Sequence, residues 1–158
     1  MNKYQNVAVL LLRLATAANF LSPVADRFGL WGQPGEASVI WGNWENFVAY
    51  TGKVNSFAPE GVVPMLAVIA TGLEIILSLL LVAGFKTRIA AAGSAVLTLA
   101  FALAMTYSFG IKAPLDYAVF VDFASAFLLA TMPVYKWSID EWLRRKRGEG
   151  LPGMIASF

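Results

Sequence analysis

Of 158 residues, 58% are hydrophobic and 14% charged, with a net charge of +2; an ordinary soluble domain carries about 25% charged residues. That deficit excludes a water-soluble globular domain of ordinary design and points to a single integral membrane domain over residues 1–158. There is no cysteine and no histidine, which excludes disulfides, thiolate nucleophiles, imidazole bases and most metal or haem ligation, so no metal site is expected.

Nearly uncharged runs of about 20 residues, the length that crosses a bilayer as a helix, alternate with short polar segments. The first covers about 6–24. Lys3 and the Ala15-Thr16-Ala17 stretch imitate a signal peptide, but Arg13 interrupts the apolar run where a signal peptide needs about 7–15 uninterrupted residues, so a retained helix is expected. The loop 27–61 follows. Within it Ile40, Trp41, Trp44, Phe47, Val48 and Thr51 recur at helical spacing, opposite Asn43, Glu45 and Asn46, which predicts an amphipathic helix at the membrane interface. Its aromatic residues read either as a belt that sets depth or as a lid over a cavity, with Trp41, Trp44, Phe47 and Tyr107 as the candidates.

The second span, 62–85, carries one charge, Glu74; the third, 89–111, carries none. Gly84 can supply a left-handed C-cap and Thr87 an N-cap, so these two helices form a tight antiparallel hairpin. The fourth span, 115–134, has Asp116 at its mouth, where a carboxylate favours a helix start, and Asp122 inside. Stripes of small residues, Ala90-Ser94-Thr98-Ala102 and Ala118-Asp122-Ala126-Ala130, suit close helix packing in lipid. A tail, 136–158, holds Arg144, Arg145, Lys146 and Arg147, a membrane-surface anchor rather than a nucleic-acid site. The expected fold is all-α: a transmembrane four-helix bundle, up-down-up-down, with the interfacial helix in its first extracytoplasmic loop. Eight Lys and Arg in the loops and ends on one side against three on the other place both termini in the cytoplasm.

Charged residues inside spans are rare and usually functional. At 1.5 Å per residue, Arg13 lies about 10 Å and Glu74 about 16 Å from the cytoplasmic boundary, which lets an extended arginine pair with the carboxylate; the alternative is that Arg13 snorkels to the headgroups. Thr71, Glu74 and Ser78 share one inward face. Asp122, about 10 Å from the opposite boundary, is at the depth of Asn19, as a polar site or as a hydrogen bond that joins helices.

An arginine in the first span followed by GLEIILSLLLVAGFKTRIAA, with its mid-helix glutamate and Gly-Phe-Lys-Thr-Arg hairpin, resembles the DoxX family of small four-helix bacterial membrane proteins. FLSPVADRFGLWG, VIWGNW and GIKAPLDYAVF look like a subgroup with a long first loop, and Arg13 and Glu74 fall on the wider family pattern. The family is related to the membrane subunit of a thiosulfate:quinone oxidoreductase. The resemblance therefore implies a multi-pass protein of the bacterial inner membrane that binds quinone, with no covalently held cofactor and no catalytic residue assigned. Three functions stay open. The first is a quinone-interacting redox subunit using Arg13, Glu74 and either Tyr107 or Trp44, with electrons from a soluble or peripheral partner. The others are a non-catalytic scaffold, and a small-solute or proton-coupled transporter using Glu74 and Asp122 in a homo-oligomer.

Overall fold

The computed structural model describes residues 2–148, and all regular structure among them is helical. The elements are α1 (Lys3–Arg27), α2 (Trp44–Val54), a 3₁₀ turn (Glu60–Val62), α3 (Val63–Ala83), α4 (Thr87–Phe109), α5 (Lys112–Asp116), α6 (Val119–Thr131) and α7 (Ile139–Lys146). The helix of α1, the 3₁₀ turn with α3, and α4 are long and apolar enough to cross a membrane. The last ten residues of the basic tail, 149–158, lie outside the described residues.

α1 starts and ends beyond the apolar run that announces it. Asn2 and Gln5 form a reciprocal capping box, each side chain accepting from the other's backbone amide at 2.9 Å, which satisfies two orphan donors of the first turn. The helix then runs through Pro23 to Arg27. α1 packs on α3, α3 on α4, α4 on α6, and α6 back on α1. A core of Val9, Ala17, Leu81, Ala90, Ala91, Leu129 and Tyr135 lies between them.

The small-residue stripe of α4, Ala90, Ser94, Thr98 and Ala102, is buried throughout, and the most extensive helix contact of the fold is α4 with α6. Ser94 and Thr98 turn their hydroxyls back onto the Ala90 and Ser94 carbonyls. Their polarity is thereby consumed within the helix, and their small volume lets the backbones approach. The second stripe is only partly realised. Ala126 is fully buried, but Ala118 stands outside α6 in the left-handed region at φ 55°.

That residue marks a correction to the fourth span, expected as one helix over 115–134. The chain forms a single turn, α5, and breaks at Tyr117–Ala118 before the 13 residues of α6. Lys112 pairs with Asp116 one turn on, and the Ala118 amide donates to the Leu115 carbonyl at 3.1 Å. These bonds close a turn where a straight helix was expected. Asp116 consequently ends α5 instead of starting a spanning helix, and α6, about 20 Å long, is shorter than a hydrocarbon core.

The hairpin between α3 and α4 also closes differently. Gly84 is left-handed at φ 66° and its amide bonds back to Leu81, but Thr87 is not the N-cap. Lys86 is the capping residue, itself left-handed at φ 48° and without a side-chain cap of its own. The cap comes from α7: Asp140 accepts from the Lys86 amide at 2.8 Å and the Thr87 amide at 2.7 Å, while its own amide donates to the Gly84 carbonyl at 2.9 Å. α7 is itself started by Ser138, whose hydroxyl accepts from the Glu141 amide at 3.1 Å. The basic tail is therefore a docked helix at the hairpin end for as far as it is described.

Glu141 is the hub of this dock. Its carboxylate accepts from Lys136 at 2.6 Å, the Trp137 amide at 3.0 Å and Arg145 at 2.8 Å. Burial pushes the carboxyl up, but the Lys136 ammonium, the Arg145 guanidinium and the Trp137 amide outweigh it, and the group sits below the usual carboxylate range. With the folded pKa below the unfolded value of about 4.3, the contribution of this carboxylate is complete above that value. It is lost as pH falls through the folded pKa. Hydrogen-exchange protection of α7, corrected for intrinsic rates, should hold near neutral pH and fall away below about pH 4. Glu141→Gln should be poorly protected at both ends of the range, with the pH dependence flattened.

Candidate functional site

Glu74 stands midway along α3 on a face with Thr71 and Ser78, and all three are buried. Ser78 donates to the Glu74 backbone carbonyl at 2.6 Å, so its hydroxyl serves the helix and not the carboxylate. The carboxylate is met by Arg27, the last residue of α1. One terminal nitrogen of the guanidinium donates to Glu74 Oε2 and to Thr71 Oγ1, the latter at 2.7 Å, and the other donates to Oε1 at 3.1 Å. This two-pronged geometry is the strong form of an arginine–carboxylate contact. The two side chains are 4% and 3% exposed.

Aromatic rings close over the pair. The Arg27 guanidinium carbon lies 3.7 Å from the centre of the Phe47 ring and 5.4 Å from that of Trp41, a cation–π arrangement worth about 2 kcal/mol or more where water is excluded. Trp41 meets Phe47 edge-on at 5.1 Å, and Trp44 tilts against Phe47 at 5.6 Å while stacking on Phe28 at 6.1 Å. The sequence builds this cap through α2, which Asn43 starts by accepting from the Asn46 amide at 2.8 Å. Phe47, Thr51 and Val54 then fall on its buried face, and the helix packs on α3 and α4. Asp26 ties the approach to α2 down, with one carboxylate oxygen accepting from the Ile40 amide at 3.2 Å and the Trp41 amide at 2.7 Å. Ile40 itself precedes the helix and is 72% exposed.

Of the four aromatic residues singled out, Trp41, Trp44 and Phe47 converge here. Tyr107 does not: it is 71% exposed and stands edge-on to Phe57. Three polar atoms on the residues of the cage, Arg27 Nε, Trp41 Nε1 and Asp26 Oδ1, are buried with no hydrogen-bond partner among the described residues. Buried polar atoms are normally satisfied, so this cluster of two donors and one acceptor requires an explanation.

The pairing of Arg13 with Glu74 is corrected. Arg13 is buried at the hairpin end, where it donates to the Trp137 carbonyl at 2.9 Å and lies against Gly84. From that level, Arg27 is 14 residues up α1, about 21 Å, and Glu74 is ten residues up α3, about 15 Å. The difference is the length of an arginine side chain reaching back down. Arg13 would have to climb some 15 Å to make the same contact. Arg27 escaped the sequence reading because it follows the apolar run and counts there as a loop charge. Its one signal is that α1 has no helix-breaking residue between Pro23 and Gly29.

Asn19 donates to Asp122 at 2.8 Å and joins α1 to α6. Asn19 is exposed on the outside of the bundle and Asp122 is half-buried in the first turn of α6, so this pair is separate from the Arg27–Glu74 cage.

Among the described residues, an all-helical fold with three helices long and apolar enough to cross a bilayer, holding a buried, aromatic-capped ion pair, defines a multi-pass membrane protein. The chain belongs to the DoxX family: the family's model, described as DoxX, matches residues 8–107, more than half of the sequence. No curated protein and no solved structure matches it.

Proposed function

We propose that this protein is a quinone-interacting membrane subunit of a redox complex, built as one up-down-up-down four-helix domain in the bacterial inner membrane with both termini in the cytoplasm. The orientation follows from charge. With Arg27 drawn into the bundle, Lys53 and Lys112 remain at the α2 end, against eight lysines and arginines at the hairpin end and its flanks, and basic residues are retained on the cytoplasmic side.

The observation that carries the functional reading is the set of unused donors on the cage. A ring carbonyl accepts hydrogen bonds, and Arg27 Nε and Trp41 Nε1 are two buried donors without acceptors. Phe47 and Trp41 offer ring faces, and Glu74 is a group that can hold a proton close by. A quinone would supply two-electron, two-proton chemistry when bound. With neither cysteine nor histidine in the chain, the electrons come from a separate soluble or peripheral protein. The guanidinium carbon now sits 3.7 Å from the centre of the Phe47 ring, so a quinone ring enters only as α2 yields.

Mass spectrometry of organic extracts from the purified protein tests this, with Glu74→Gln and Trp41→Phe beside the wild type. Stoichiometric quinone is expected in the wild type, reduced in Trp41→Phe and absent from a folded Glu74→Gln. Folded wild type without quinone overturns the reading. One observation favours a second reading, a non-catalytic scaffold: the ion pair is sealed, with its strongest bonds already made inside the protein. The scaffold reading expects that replacing Arg27 and Glu74 together by apolar residues leaves co-purifying partner proteins unchanged.

A further inference from the structure

Among the described residues, the hairpin end carries cations that no carboxylate claims. Lys86, Arg88 and Arg144 line a groove of about 340 Å³ between α7 and the start of α4, with Ile89, Pro133 and Val134 as its apolar part. Two carboxylates also border it, and both are engaged elsewhere. Asp140 is taken by the Lys86 and Thr87 amides, and Glu141 by Lys136, Arg145 and the Trp137 amide. Among the described residues none of the three groove cations forms a salt bridge; Arg88 gives one N–H to the Met132 carbonyl at 3.1 Å.

The other flank of α7 indicates how deep this groove sits. Trp137 and Trp142 are 57% and 58% exposed there, and Ile139 is 41% exposed. Exposed tryptophans at the end of an apolar bundle mark the level of the lipid headgroups. A cationic groove at that level, apolar along one side, matches a phosphate joined to acyl chains. It is a poor match for a nucleic acid or an acidic peptide, which would leave the apolar wall uncovered.

We propose that this groove binds an anionic glycerophospholipid, its phosphate among Lys86, Arg88 and Arg144 and its first acyl carbons on Ile89 and Val134. The lipid bridges α4 to α7 across this groove, beside the Asp140 cap. The proposal stands apart from the quinone reading and needs only that the bundle be embedded in a bilayer.

The test is native mass spectrometry of the full chain in a neutral detergent, titrated with phosphatidylglycerol or with phosphatidylcholine of the same acyl chains. The wild type should retain phosphatidylglycerol at least about tenfold more strongly. Each basic residue near an anionic surface is worth about fivefold in binding, so Lys86→Gln with Arg144→Gln should weaken it about 25-fold. Lys53→Gln with Lys112→Gln removes the same charge at the opposite end and should change nothing. Millimolar inorganic phosphate should not displace the lipid. Equal retention of the two lipids by the wild type overturns the proposal whether or not the variants fold, and so does an undiminished preference in a folded Lys86→Gln/Arg144→Gln protein. Complete displacement by inorganic phosphate also overturns it and makes the groove a site for free anions.

Discussion

Arg27→Met should destabilise the folded protein by about 3–5 kcal/mol, because it leaves the Glu74 carboxylate buried without its counter-ion. Arg27→Met combined with Glu74→Leu should recover most of that loss, since an apolar pair of similar volume avoids the desolvation that a lone charge suffers. Unfolding in detergent, followed by circular dichroism, measures both. A double-mutant cycle isolates the pair from its surroundings: Arg27 and Glu74 should couple near the top of the range of about 0.5–3 kcal/mol for groups in contact, and Arg13 and Glu74 close to zero. Coupling of Arg13 instead of Arg27 would contradict the register of α1 on α3. The folded double variant also makes the extraction experiment decisive, because loss of bound quinone could not then be ascribed to loss of the bundle.

The second large effect is expected at Gly84. Its φ of 66° is strained for any residue with a Cβ, and a Cβ there would press on Ser138 and come 2.8 Å from Arg13 Nη1 and 2.9 Å from the Ser138 Cα. Backbone strain of about 1–3 kcal/mol is then compounded when the 137–140 segment moves away, because that movement takes Asp140 off the Lys86 and Thr87 amides. Loss of a cap costs about 1 kcal/mol more. Gly84→Ala should therefore lose about 3 kcal/mol in all, with fast amide exchange through α7. Gly72, inside the helix that Gly84 caps, has open space where its Cβ would go. Gly72→Ala should be neutral or stabilising by up to about 1 kcal/mol, which makes it a control for glycine replacement in α3.

These two positions differ in how far local chemistry reveals them. Gly84 is legible, since a glycine that ends an apolar run and precedes a new one is a C-cap signal. α2 is legible too, because Phe47 and Thr51 keep the helical period and Asn43 caps it. The break at Ala118 is not: an apolar stretch with small residues at four-residue spacing has the pattern of a straight helix. The Ser138–Glu141 spacing is a helix-start signature that would have revealed α7, but no local pattern connects Asp140 to a hairpin 53 residues earlier.

What the sequence determined by itself is the solvent and the elements. A chain with 14% charged residues and apolar runs of spanning length must bury its backbone bonds in helices within lipid, and its motifs assign it to the DoxX family. It also singled out Glu74, because a carboxylate at that depth needs a partner. Which partner was decided by tertiary structure alone. Arg13 donates to the Trp137 carbonyl, 124 residues away in sequence, which holds it at the hairpin end while α1 packs along α3. With the register set, it is the arginine at the far end of α1 that reaches the carboxylate, and α2 folds its aromatic rings over the pair. Apolar periodicity specifies which face of a helix is buried; it says nothing about sliding along the axis, and that sliding selects Arg27 over Arg13.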